Sequence, residues 1–344
     1  MKSKLNLSRQ MILVVALSYG LVGVSSAAGL SSVASSSPSA DMVAGTYADS
    51  WATNATQPDR FQGSPSPSDR AGAKKDDRQR KKDGHGGMPT HWTDVFLGYR
   101  YGPDFHYPGV PKPVKQNIGY LGVVGGFKYG TYAFNVDYLK SSDVNPEANG
   151  TGGAQEVYSI GRVEFSGSRV FGRSLSAGFI RDVGLTLGYE WGTKNDAFGE
   201  RARMLVLGPT LEFAVPRGYW NLTVGARKES NYNGITGRDV SFNIAAHIES
   251  SWLIPVQVGS VPFIFRGFVS STGPKGKDGF GVKTTGEVLA RVAFLADVGS
   301  FFGAPRTFYV GPGYEYWYHE YGSPTWETTG TITSSPMIQF EVHF

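Results

Sequence analysis

Near the end of the chain Ile338, Phe340, Val342 and Phe344 alternate with Gln339, Glu341 and His343. A period of two marks an extended strand with one apolar and one polar face, because successive strand side chains point to opposite sides. The pattern returns upstream. Tyr132, Phe134, Val136 and Tyr138 alternate with Asn135 and Asp137, and Val183, Leu185, Leu187, Tyr189 and Trp191 with Thr186 and Glu190. Taken from residue 91 onward, it predicts about twelve strands, near 91–101, 118–129, 131–140, 155–165, 183–193, 203–215, 219–230, 240–254, 261–271, 284–298, 307–318 and 331–344.

The polar faces carry Asp137, Arg162, Glu164, Glu190, Glu212, Arg227, Glu229, Glu249, Arg266, Arg291, Glu315 and Glu341. Aromatic residues, among them Tyr99, Tyr101, Tyr129, Tyr219, Trp220, Trp252, Tyr314, Tyr316 and Tyr318, gather near the expected strand ends. Two all-β architectures fit this dyad. A soluble sandwich would hide the aromatics in its core and wet the other face. A transmembrane antiparallel β-barrel would put the apolar face in lipid and the polar face around its lumen, with aromatic rings at the headgroup level.

The chain's start and finish favour the barrel. Lys2, Lys4 and Arg9 precede an apolar run from Met11 to Val24 and then Ser25, Ser26, Ala27 and Ala28. That is the layout of a secretory signal peptide, residues 1–28, and the run is short for a membrane-spanning helix of ~20 residues. A final aromatic residue, Phe344, resembles the terminal signature of outer-membrane barrels, through which the barrel-assembly machinery would be engaged. The expected location is the cell outer membrane, with its lipid and lipopolysaccharide as partners. An even strand number places both barrel ends on the periplasmic side. Connections after odd strands (102–117, 141–154, 272–283, 319–330) are then long external loops, and Gly130 and Pro216–Gly218 tight periplasmic turns. The long segment 166–182 departs from that parity and calls for a folded turn or small helix.

Residues 29–90 show no apolar periodicity and end in a mixed-sign run from Asp69 to Asp83. This composition predicts a disordered arm, read either as a solvated tail or as a periplasmic segment touching anionic lipid or peptidoglycan. The net charge of +4 includes Lys2, Lys4 and Arg9, which would leave with the leader, so no nucleic-acid surface is expected. Zero cysteines exclude disulfide frameworks and thiol chemistry. His85, His91 and His106 lack metal-ligand spacing, and no metal or other cofactor is expected.

The stretches Trp92–Pro108 (WTDVFLGYRYGPDFHYP), DVGLTLGYEWGTKNDAF from Asp182 and FYVGPGYEYWYHEYG from Phe308 resemble the nucleoside-specific channel family of outer-membrane proteins (Tsx-like), in segment order across 91–344. The resemblance implies a narrow twelve-stranded barrel for passive uptake of small polar solutes, nucleosides above all, with aromatic and ionisable residues along the passage. Phe105 and Tyr107, in the expected first external loop, would fold inward as ring contacts. Arg100, Glu190, Arg227 and Glu229 would line the passage.

A closed structural or receptor barrel is the alternative, since strand number alone does not decide whether a lumen conducts. His247, Glu249 and Ser251 share one face of a strand and suggest hydrolase parts, but no second motif supports them and no enzyme is expected. The Gly273–Gly281 loop lacks the Gly-Lys-Ser/Thr ending of a phosphate cradle. It reads as a mobile external loop whose Lys275 and Lys277 could draw anionic solutes to the mouth.

Overall fold

The computed structural model describes residues 91–344, so the expected leader and arm lie outside the described residues. One antiparallel sheet closes on itself as a barrel of 12 strands. In chain order its strands are β1(Trp92–Tyr107), β2(Val110–Phe127), β3(Gly130–Ser141), β4(Gln155–Ser166), β5(Ile180–Lys194), β6(Arg201–Phe213), β7(Tyr219–Asn233), β8(Arg238–Ser241), β9(Ala245–Val258), β10(Val261–Thr272), β11(Glu287–Asp297), β12(Phe308–Tyr318) and β13(Ile332–His343). Apart from β8 and β9, each pairs with its sequence neighbour, and β1 with β13 closes the ring. β8 and β9 both pair with β7 and form one stave interrupted at 242–244. Closure leaves no unpaired edge, which matters in hydrocarbon, where water cannot satisfy backbone groups.

The alternation sorts the side chains as the dyad requires. Leu121, Phe134, Val136, Leu185, Leu187, Leu205, Leu207, Val224, Ile338 and Phe340 are exposed on the outer wall. Arg100, Asp137, Glu190, Arg227, Glu315 and Glu341 are buried within. A soluble protein would place these two sets the other way round.

The first hairpin departs from expectation. In place of an external loop over 102–117, β1 and β2 run on and turn at 108–109. Its prolines Pro103, Pro108, Pro111 and Pro113 mark this stretch as a loop in sequence; an outer hairpin tip tolerates them, because its pairing with only one neighbour leaves some N–H groups unneeded.

The connection after β4 is the folded turn expected. A one-turn helix, α1(Gly167–Phe171), starts at Ser166, whose hydroxyl accepts from the Arg169 N–H at 3.2 Å, and stops at Gly172 in the left-handed region. The Arg169 guanidinium donates to the carbonyls of Phe127 and Gly130 at 3.1 and 3.2 Å, tying this turn to the neighbouring β2–β3 turn.

Candidate functional site: the barrel lumen

The bore is crowded and mostly charged. Among lumenal residues Gln116 is 0 %, His247 1 % and Glu341 2 % exposed, so the wall side chains cover one another rather than face a wide water column. They meet by reaching across the bore. Arg162 on β4 contacts Glu249 on β9 at 2.8 Å, with β5, β6 and β7 between them in the wall. Arg291 on β11 lies 3.6 Å from Asp137 on β3, which is separated from it by β12, β13, β1 and β2. Arg227 on β7 reaches Glu287 on β11 at 3.0 Å, and Arg266 on β10 pairs with Glu341 on β13.

Two networks result. The first joins Arg162 to Glu190 at 2.5 Å and to Glu249, and Arg227 to Glu190, Glu229 and Glu287 at 3.9, 3.4 and 3.0 Å. Tyr158 adds a hydroxyl donated to Glu190 at 2.6 Å. Lys275, from the loop after β10, pairs with Glu229 at 2.6 Å. Gly188 makes room for the centre of this network, because a Cβ there would stand 2.5 Å from Cδ of Arg162. The second network holds Arg100, paired with Asp137, then Arg291 and, at 2.6 Å from it, Glu315. The Arg100 guanidinium also lies 4.5 Å from the centre of the Tyr120 ring.

Glu190, Arg227 and Glu229 therefore come together as a unit, while Arg100 belongs to the other network. Phe105 and Tyr107 point into the bore but from strand β1, not from a loop. A register shift between Gly102 and Phe105 flips the alternation at that point. Without it both rings would face outward. They pack with Val114, Ile118, Leu139 and Met337 in an apolar cluster in the outer part of the lumen. Tyr107 is further held by Gln116 and by the Lys194 ammonium 3.2 Å from its ring centre. Glu287 and Lys194 were not singled out from the sequence, and Lys275 only as a cation of an external loop. Glu287 was legible by its parity with Leu289 and Arg291, whereas Lys275 arrives from a loop that no periodicity governs.

That loop is a second correction. It is not a free external arm. The Gly273 N–H donates to Ala246, the Asn243 N–H donates to the Lys275 carbonyl, and Lys275 is buried, so its ammonium is spent on Glu229 rather than offered to passing anions. Nor do His247 and Ser251 form a nucleophile pair: the His247 ring meets Thr272 at 2.9 Å and Glu249 at 3.7 Å.

Two loops at the outer mouth contribute buried carboxyl groups, Glu200 and Glu320. Glu200, in the β5–β6 loop, has its pKa pushed up to about 8 by burial and then by nearby Glu156, against the opposing pull of Lys194. Burial likewise holds Glu320, in the last external loop, well above the usual carboxylate range. Glu200 is thus mostly protonated at neutral pH. A carboxyl raised in the folded state contributes stability that is present below its unfolded value of 4.5 and lost as pH rises through about 8. Hydrogen exchange of segments 195–200 and 319–331, corrected for intrinsic rates, is expected to lose protection between pH 6 and pH 9. Glu200→Gln should flatten that dependence for 195–200; an unchanged profile in the variant would assign it to another group.

No protein-family profile and no curated protein sequence matches the chain. Among solved structures it is similar to the translocator domain of the autotransporter NalP from Neisseria meningitidis, at 14% identity over 80% of this chain and 98% of that one, with a TM-score of 0.39. It is also similar to NanC porin, at 10% identity over 73% and 98% (TM-score 0.36), and to KdgM porin, at 6% identity over 72% and 99% (TM-score 0.34). The apolar outer wall, the charged lumen and complete closure of the sheet lead to one conclusion: the chain is a β-barrel of the cell outer membrane.

Proposed function

We propose that the barrel is a narrow, gated passage for small polar solutes, with nucleosides the class its lining suits best. The observation that carries this reading is what fills the bore. Its inner part is spanned by arginine and carboxylate side chains rather than by a packed apolar core. Ion pairs buried away from water carry a desolvation cost that hydration returns, so such a barrier can open with little net loss, unlike an apolar plug.

Several buried polar atoms, including Arg100 Nε, Arg227 Nε, Asn221 Oδ1 and Gln116 Oε1, have no protein partner. Water or a solute would satisfy them. Lumenal carboxylates outnumber the lumenal cations Arg100, Arg162, Lys194, Arg227, Arg266, Lys275 and Arg291, a balance that disfavours anions. Phe96, Tyr120, Tyr158, Phe268 and Trp317 stand among these groups on the inward positions. A neutral flat ring with polar edges could stack on the aromatics and exchange hydrogen bonds with their neighbours, at ~1–3 kcal/mol per stacked base in nucleic-acid complexes. The Tsx-like resemblance points the same way.

The test is planar-bilayer recording with the purified protein. Adenosine or thymidine at millimolar concentration should interrupt the ion current, a hexose should do so less, and a nucleoside triphosphate least. Current without any nucleoside-dependent interruption would leave a generic channel. A second reading, a closed structural or receptor barrel, is favoured by the near-complete burial of the lining, and absence of current at every voltage would select it.

A further inference from the structure

The arginines of the lumen are answered by carboxylates, but a group of cations on the outer wall is not. Arg201 and Arg203 on β6 and Lys228 on β7 are exposed and share their outward parity with Leu205 and Leu207, which face lipid. Each is held by neutral groups. The Arg201 guanidinium lies 3.9 Å from the centre of the Tyr232 ring. Arg203 donates to the carbonyls of Gly192 and Ala202 at 3.1 and 2.6 Å. Lys228 donates to the Ser241 hydroxyl at 3.1 Å and to the Phe242 carbonyl. These contacts fix the cations in place without an ion pair to a carboxylate.

Their height is set by the register. Arg203 stands opposite Trp191 on β5, an outward indole, and Arg201 one inward–outward repeat further from the membrane centre, opposite Thr193. An exposed tryptophan on a barrel wall marks the boundary of headgroups and acyl chains. This end of β6 follows the external β5–β6 loop, so the boundary is that of the outer leaflet. Beside the cations is a groove of about 320 Å³, lined by Arg201, Arg203, Ser230, Asn231, Asp239 and Ser241.

The geometry points to a binding site for a phosphorylated glycolipid headgroup of the outer leaflet. Its phosphate sits between Arg201 and Arg203, whose planar guanidinium forks match phosphate oxygens. Its sugar hydroxyls meet Ser230, Ser241 and the carboxylate of Asp239, a group that would repel a bare anion but accepts hydrogen bonds from a sugar. Leu205 and Leu207 below receive the acyl chains. The site is independent of whether the bore conducts.

Native mass spectrometry of the full chain in detergent tests this with a bisphosphorylated lipid A, the same lipid enzymatically dephosphorylated, phosphatidylglycerol, and inorganic phosphate. The wild type should retain the bisphosphorylated glycolipid. Arg201→Gln/Arg203→Gln should weaken retention at least about tenfold, while the distant exposed Arg173→Gln should not. Heat-modifiable migration on gels confirms that each variant is folded, and Arg201→Lys/Arg203→Lys should recover part of the binding. Equal retention by the double glutamine variant would overturn the site. Equal retention of the dephosphorylated lipid would remove the phosphate from it. Equal binding of phosphatidylglycerol would remove the sugar, and binding of inorganic phosphate with no preference for the lipid would reduce it to a free-anion site.

Discussion

Arg162→Met is expected to cost the folded barrel about 3–5 kcal/mol, because removing one partner of a buried ion pair leaves the others uncompensated. Among the described residues Arg162 is the only group within 3 Å of both Glu190 and Glu249. Without it two carboxylates face each other across the bore, with the Arg227 guanidinium 3.9 Å from one and His247 3.7 Å from the other. Urea unfolding from lipid vesicles, followed by tryptophan fluorescence, should show the loss directly. Adding Glu190→Gln and Glu249→Gln to Arg162→Met should recover most of it, since the uncompensated charges are then gone. If Arg162→Met alone unfolds at the wild-type midpoint, the cross-bore pairs contribute nothing measurable and the wall alone holds the barrel.

The second large effect is expected in the outer part of the lumen. Phe105→Ala with Tyr107→Ala should raise the resting conductance, because the two rings and their apolar neighbours Val114, Ile118, Leu139 and Met337 form the part of the filling that hydration does not favour opening. Truncating a buried phenylalanine costs about 3–5 kcal/mol where the site stays dry, and less here if water enters the space. Single-channel recording and urea unfolding on the same preparation separate the two outcomes. A rise in current with a modest loss of stability identifies the cluster as the barrier. A large loss of stability at unchanged current would make it a structural packing element and move the barrier to the ion-pair networks.

These expectations differ in how far the sequence anticipates them. Its period-two alternation determined the all-β class and, with the barrel favoured by the leader-like start and aromatic finish, the inward direction of Asp137, Arg162, Glu190, Arg227, Arg291 and Glu315 and the outward direction of Leu185, Leu187, Ile338 and Phe340. A strand offers only two faces, so parity alone assigns each side chain to lipid or lumen once the membrane is granted. Alternation also put Arg100, Glu190, Arg227 and Glu229 on the polar faces of their strands.

It did not say which charges meet. Arg162 and Glu249, or Arg291 and Asp137, are brought together by closure of the sheet, a property of the whole ring that no local pattern carries. Parity also breaks wherever register shifts. The irregularity after Gly102 turns Phe105 and Tyr107 inward, and it arises from how β1 pairs with β2 rather than from any signal in β1 itself. Loops escape periodicity altogether, so Lys275 read as a free cation until the fold carried it onto Glu229. Arg201 and Arg203 are basic residues on alternating positions of one strand and Lys228 lies on the next, but only the register opposite Trp191 fixed the height of this group in the membrane. Where register is regular, sequence settled the face of a strand residue because that is a local property of the pleat; tertiary structure decided the partners because they lie across the bore, on strands that meet only when the barrel closes.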